Sequence, residues 1–202
     1  MRGTPERTWR SSTLVVSPKS PFKRRAHSFR GAVTAGHCYD FGQGPESNLW
    51  VTSGPKLYGI TGVAAAYPLF DMMRIDPGGQ QFTNTIHTDP GTLTRVQVGK
   101  RNPVVGDIVC VSGSVTRAKC SINILDHGCV GIGPGGNTAG LTTGRRPGVL
   151  IVQGGDSGAP VYQQSGASGA VINGLLVAGN FDRMCFHRVN TVEAQLGVTV
   201  AL

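Results

Sequence analysis

The sequence predicts an all-β fold, and three observations carry that prediction. Of 202 residues, 30 are Gly and 12 are Pro, while charged residues make up only 15%. Glycine stands at about twice its usual share of roughly 7%, and the helix-favouring Glu, Lys and Leu are scarce. Short apolar runs alternate with turn clusters such as Asp76-Pro77-Gly78-Gly79 and Gly133-Pro134-Gly135-Gly136-Asn137, a spacing that suits a sandwich or barrels. Apolar residues, 39% of the chain, are spread evenly, which argues against disorder. No run approaches the ~18 residues of a membrane span.

In chain order, residues 1–30 differ from the rest. They hold Pro5, Pro18 and Pro21 and one short apolar run, Leu14-Val15-Val16, too short for the roughly 7–15-residue apolar region of a secretory signal. Strands are expected at Gly31–Ala35, Asn48–Thr52, Leu57–Ala65, Phe70–Ile75, Leu93–Val98, Asp107–Ser112, Val149–Val152, Ala159–Gln163, Val171–Ala178 and Met184–Val189. Each is a short apolar run between turn signals. Residues 88–92 read as a linker between two β-units. Only the tail reads as a helix: Asn190 or Thr191 caps Val192–Leu196, and Gly197 stops it.

The net charge of +8 invites a nucleic-acid reading. Its location removes most of that case. Residues 1–30 carry eight Arg and Lys against Glu6 alone, a net +7, which leaves residues 31–202 at +1. The excess is a basic arm whose residues 19–30 hold only Phe22 and Phe29 as candidates for base stacking. No nucleic-acid or membrane partner is expected.

Five cysteines occur, at 38, 110, 120, 129 and 185. None forms a CxxC or Cys/His cluster, so no metal or cofactor is expected. Cys110 and Cys120 flank the turn-like Ser112-Gly113-Ser114. That suits a local disulfide, with two buried thiols as the alternative.

Three segments stand out for chemistry. Thr34-Ala35-Gly36-His37-Cys38 places a His after a strand that ends in small residues. Phe70-Asp71-Met72-Met73-Arg74-Ile75 places an Asp at the head of a strand. Gly154-Gly155-Asp156-Ser157-Gly158-Ala159-Pro160 places a Ser in a glycine-rich turn. A nucleophilic Ser needs a base, and backbone N–H groups must face the oxyanion that develops. Gly155 lets the chain turn so that its amide faces that oxygen, and Gly158 allows a close approach behind the Ser. A surface Gly-Asp-Ser-Gly turn, a structural His and a solvated Asp are the bland alternatives. The order His, Asp, Ser is one of the known orders of a catalytic triad.

These segments resemble the chymotrypsin-like serine proteases, above all the bacterial secreted branch of streptogrisins and α-lytic protease. Thr34–Cys38 is similar to that branch's histidine motif and Gly155–Val161 to its serine motif. Val105-Gly106-Asp107 through Cys110–Gly113 resembles the segment that opens its second barrel. Val192-Glu193-Ala194 and Leu196–Val200 resemble its closing helix and strand. The likeness spans roughly residues 31–202. It implies two antiparallel six-stranded β-barrels with a short C-terminal helix. The expected division is a basic arm at 1–30, a first barrel at 31–90 and a second at 91–202. It implies Ser157 as nucleophile, His37 as general base and acid, Asp71 as the group that orients His37, and the N–H groups of Gly155 and Ser157 as oxyanion hole. Asp40 and Asp76 are alternatives to Asp71. Asp156 resembles the buried carboxylate that organises the serine loop and needs a donor. The Cys110–Cys120 disulfide is implied as well, as are secretion, a polypeptide substrate and a monomer.

Departures from the pattern are specific. The family's Cys before the histidine motif is missing, which leaves Cys38 unpaired, and the Cys before the serine motif is missing, which deprives Cys185 of its usual partner. The substrate-binding strand reads Ala178-Gly179-Asn180 where Ser-Gly-Gly is usual. Ile151 stands where trypsin carries an acid, so a small or apolar residue is expected before the scissile bond. A serine endopeptidase is therefore expected, and the alternative is a catalytically impaired binding module on the same fold.

Overall fold

The computed structural model describes residues 14–18, 31–38, 49–52, 56–64, 68–76, 82–88, 94–133 and 136–202. Its strands form two sheets. The first joins β1 (Leu14–Pro18), β2 (Gly31–Thr34), β3 (Leu49–Thr52), β4 (Lys56–Ala64), β5 (Met73–Asp76) and β14 (Val198–Val200), in the spatial order β14-β1-β2-β5-β4-β3. The second contains β6 (Thr85–His87), β7 (Thr94–Lys100), β8 (Ile108–Gly113), β9 (Arg117–Gly133), β10 (Gly136–Arg145), β11 (Pro160–Ser165), β12 (Gly169–Asn180) and β13 (Arg183–Arg188). Its order is β11-β8-β9-β10-β13-β12-β7-β6, and β11 also pairs with β12. That extra pairing closes β8 to β13 into a six-stranded barrel, which leaves those six strands without a free edge.

The fold class read from the sequence stands: two β-units and one short helix. Several details differ. Leu14–Pro18 lies in the segment expected as an arm, yet its backbone pairs with β2 and β14. The rest of residues 1–30 lies outside the described residues, as do Asp40 and 89–92 of the expected linker. β14 belongs to the first sheet although it closes the chain, and β6, which precedes residue 90, pairs into the second. Pairing is also not wholly antiparallel, because β7 runs parallel to β12. The Arg95 guanidinium donates to the carbonyls of Gly166 and Gly169, which ties β7 to the start of β12.

The expected strand at Val149–Val152 is a loop. The N–H groups of Ile151 and Val152 both point at the carbonyl of Phe181, so no ladder can propagate. The run is apolar because it fills the second barrel: Ile151 and Val152 pack with Val109, Ile122, Leu176 and Phe186. Conversely, β9 and β10 were not expected. Polar residues and three glycines interrupt the apolar signal of β9, although Ile122 and Ile124 keep a period of two and are buried.

The two units share a core. Val33 and Met72 from the first meet Tyr162, Ile172 and Leu175 from the second, with the helix α1 (Val189–Leu196) and β14 packed against both. α1 buries Val189, Val192, Glu193 and Leu196, one stripe at helical spacing. It starts earlier than expected, after an extended Arg188 that offers no side-chain cap. Asn102 supplies the missing acceptor from elsewhere, taking the Asn190 N–H at 3.1 Å. Gly197 ends the helix in the left-handed conformation at φ 62°, its N–H donating to the Glu193 carbonyl, as expected.

Candidate active site

The site lies where the first sheet meets the loop before β11. Three short segments build it. β2 ends at Thr34, and a single 3-10 turn over Gly36–Cys38 projects His37 from its end. Gly36 is small for a reason: a Cβ there would sit 3.0 Å from Asp71 Oδ1 and 3.1 Å from the Met72 nitrogen. That closeness lets Asp71 reach the His37 backbone, whose N–H donates to Asp71 Oδ1 at 2.7 Å. Asp71 itself precedes β5 and is only 4% exposed.

The three side chains form one hydrogen-bonded line. His37 Nδ1 is 2.6 Å from Asp71 Oδ2, and His37 Nε2 is 2.7 Å from Ser157 Oγ. A carboxylate accepts only, so Nδ1 carries the proton and Nε2 presents its lone pair to the Ser157 hydroxyl. His37 is partly exposed, so the line runs from buried acid to open cleft. Asp76, one of the alternatives to Asp71, ends β5.

The serine loop is held from beneath by Asp156, which is 1% exposed. Its donors, which the sequence could not name, are all uncharged. Oδ1 accepts from the N–H groups of Val115 (2.8 Å) and Thr116 (3.1 Å), and Oδ2 from the Thr116 hydroxyl (2.7 Å) and the Gln153 N–H (3.0 Å). Gly113 makes room, because a Cβ at that residue would overlap the Asp156 carboxyl. Ser114 Oγ donates to the Gly155 carbonyl at 2.6 Å. The loop's own amides are then divided. Those of Asp156, Gly158 and Ala159 donate to Gln153, Leu176 and Asp156 carbonyls, whereas those of Gly155 and Ser157 have no such acceptor among the described residues. Gly155 has φ 96° and Gly158 φ 84°, conformations that L side chains rarely adopt. A Cβ on Gly158 would also overlap the Thr34 hydroxyl, so the serine loop and the histidine strand touch there.

Beside Ser157 and His37 opens a cleft of about 200 Å³. Ala178 and Gly179 line one side. Ile151 does not: it is buried in the barrel, and its neighbour Val152 lines the cleft instead. Asn180 stands exposed at the end of β12, outside the lining. Gly131 and Ile132 form the facing wall, with Gln153 and Gly154 at the rim. Sequence reading missed that wall because it missed β9; the period-two run Cys120-Ile122-Ile124 was the available signal.

Cys110 and Cys120 are bonded, with Cα atoms 4.0 Å apart. A second disulfide joins Cys129 to Cys185, a pairing that sequence spacing alone does not favour. Cys38 is free, and its thiol lies 4.0 Å from the Ser157 carbonyl oxygen. Burial pushes that thiol's pKa up to about 11, so it stays protonated at neutral pH. Behind Asp71 lies His187, only 2% exposed, with Nε2 unpartnered and its ring 6.2 Å from that of Phe70. Desolvation pulls its pKa down to about 4, against the pull of the nearby Asp71 charge.

No protein-family model and no curated protein matches the chain. Solved structures do. A glutamic acid-specific serine protease, described as using a histidine triad in substrate binding, is 21% identical, with a TM-score of 0.72 over 95% of this chain and 93% of that one. Thermobifida fusca protease A is 22% identical, with a TM-score of 0.70 over 93% and 89%. Nocardiopsis protease is 22% identical, with a TM-score of 0.70 over 94% and 90%. The chain has the fold of the bacterial chymotrypsin-like serine proteases.

Proposed function

We propose that the chain is a serine endopeptidase that cleaves polypeptides through an acyl-enzyme. The observation that carries this reading is the line Asp71–His37–Ser157, with separations of 2.6 and 2.7 Å. Both lie inside the range a base needs to take a proton directly.

The chemistry follows from the geometry. Ser157 Oγ attacks the substrate carbonyl carbon while its proton passes to His37 Nε2. Asp71 holds the Nδ1–H and stabilises the imidazolium, without taking the proton itself. The carbonyl oxygen becomes an oxyanion and takes hydrogen bonds from the Gly155 and Ser157 N–H groups, whose lack of a backbone acceptor among the described residues supports this role. As the tetrahedral species collapses, His37 Nε2 returns its proton to the leaving amine and an ester remains on Oγ. Water then repeats the sequence: His37 takes its proton, the hydroxide attacks the ester, and the proton returns to Ser157 as the acid leaves.

Two disulfides support a site of action outside the reducing cytoplasm. Ala178 leaves Asp71 without the hydroxyl that the family places there, which motivated the alternative of an impaired binding module. A misplaced His37 was one route to that alternative, and the 2.7 Å approach to Ser157 Oγ speaks against that route. The test is hydrolysis of a mixed peptide library by the protein and by Ser157→Ala. New peptide termini generated by the first and not by the second are expected. Equal cleavage by both, or none by a folded protein, would refute the proposal.

A further inference from the structure

We propose that the seam between β8 and β11 binds an extended, uncharged segment of the polypeptide substrate, away from the cleaved bond. That the segment belongs to a substrate rests on the peptidase reading. That the seam takes a strand rests on its own geometry.

The six barrel strands leave none of their number wholly unpaired, but the closure between β8 and β11 is short. It consists of Val161↔Val111 and Tyr162↔Cys110, and goes no further among the described residues. The same antiparallel register would set Gln163 against Val109 and Gln164 against Ile108. Instead a side chain crosses the gap: Gln163 Nε2 donates to the Ile108 carbonyl at 3.3 Å. Gln163 Oε1 accepts from Arg101 Nε at 2.8 Å and from Asn173 Nδ2 at 3.5 Å, which holds the amide across the seam.

The parted strands leave a groove of about 480 Å³, inside the roughly 300–1,000 Å³ range of ligand sites. Ile108, Ser121, Gln163, Gln164, Ser165 and Val171 line it, together with the Cys110–Cys120 disulfide. No lining residue is ionisable, so a charged group would be desolvated there without a partner. Ile108 is 59% exposed and offers an apolar contact. The Gln164 amide donates to Cys120 Sγ at 3.6 Å, a weak acceptor that a ligand carbonyl displaces. A bulge brings Ser121 to the groove: the β8–β9 register shifts between Val109 and Val111, so Cys120 and Ser121 together oppose Cys110. Ser121 has φ 60°, which non-glycine residues rarely adopt. Such strain gathers at ligand clamps.

Parted strand edges with uncharged amides and hydroxyls fit a main-chain ligand. An extended peptide lays its N–H and C=O groups along the seam and its alternate side chains against Ile108 and Val171. β11 also joins the groove to the proposed nucleophile. It starts at Pro160, three residues after Ser157, and its six residues end at Ser165 in the groove. A strand of that length spans about 20 Å, within reach of one extended substrate chain.

The probe is the doubly blocked peptide acetyl-Thr-Val-Thr-Val-Thr-amide. It is titrated into the isotope-labelled full chain carrying Ser157→Ala, so that it is not consumed. Saturable amide shifts at Ser121 and Gln163–Ser165 are expected below about 1 mM peptide. A probe N-methylated at alternate residues cannot donate to the seam and binds about tenfold or more weakly. Ile108→Lys puts a charge into the groove at an exposed position and weakens the parent probe by about tenfold or more. Val105→Lys, equally exposed and outside the groove, leaves binding unchanged. No saturable shift in the groove, equal binding of the methylated probe, undiminished binding by Ile108→Lys, or an equal loss in Val105→Lys overturns the proposal. The methylated probe needs no groove variant and carries the test should Ile108→Lys not fold. In the parent protein, a cleavable polypeptide bearing this segment has a KM about tenfold lower than one with Pro in its place, at equal kcat. Ile108→Lys removes that difference, and equal KM values in the parent refute the assignment to a substrate. A chain that binds the probe yet hydrolyses nothing refutes the peptidase reading and leaves the groove standing.

Discussion

Asp71 and Asp156 are two carboxyl groups of nearly equal burial, 4% and 1% exposed, with opposite uses. Asp156 is saturated by three backbone N–H groups and a hydroxyl, all from the serine loop and the turn after β8. None of those partners titrates, so the group acts as a fixed acceptor that shapes a loop. Asp71 holds the His37 backbone with one oxygen and the His37 ring with the other. Its ring partner changes charge during the proposed reaction. Burial alone therefore does not distinguish a structural acid from one proposed to act in catalysis, whereas the chemistry of the partner does.

The comparison is broken most sharply at Asp71. Asp71→Asn keeps the shape but lets the side chain donate to Nδ1, which turns the lone pair of His37 away from Ser157. Turnover is expected to fall by about 10³–10⁴-fold, with a melting temperature close to the parent's. A loss under tenfold would place the acid's role elsewhere.

Asp156→Ala is expected to do the reverse. It strands four donors, of which the two on Thr116 are buried, a buried donor being worth about 1–3 kcal/mol when unsatisfied. Chemical denaturation should show a loss of at least about 3 kcal/mol, and whatever activity remains is lost through the loop. Wild-type stability in this variant would refute the structural role.

The smallest expected effect concerns His187, the neutral neighbour of Asp71. Its folded pKa of about 4 lies below the ordinary value of 6.5. The unfolded chain takes up a proton below about pH 6.5 that the folded chain refuses until about pH 4. Stability therefore falls as pH drops through that window and levels off beneath it. His187→Phe should flatten the decline by an amount on the order of 3 kcal/mol or less. Urea titrations of both proteins at pH 7 and pH 4.5 check it, and parallel declines would contradict it.

Asp71 and Asp156 enter the sequence reading through the resemblance, with Asp40 and Asp76 open as alternatives to Asp71. The glycines that make room for them, Gly36 for Asp71 and Gly113 for Asp156, lie far from them in the chain, so no local pattern marks the contact. The cleft wall left only a faint mark. Gly131 and Ile132 sit on a strand whose polar and glycine positions dilute its alternation, and Ile132 is 84% exposed, so no core pattern marks it. The Cys129–Cys185 bond spans 56 residues and sits beside three register shifts, which spacing alone does not encode. Ile151 misled for the opposite reason. Its apolar run looked like a strand beside the pocket, but burial in the barrel rather than strand pairing selects those residues.

The central claim is that Ser157 is a nucleophile activated by His37 and Asp71. A fluorophosphonate probe read out by intact mass tests it most directly. The account predicts one adduct per folded chain, mapped to Ser157, absent from Ser157→Ala and strongly slowed in Asp71→Asn. A folded chain that stays unlabelled while a known serine protease reacts in the same tube would contradict it.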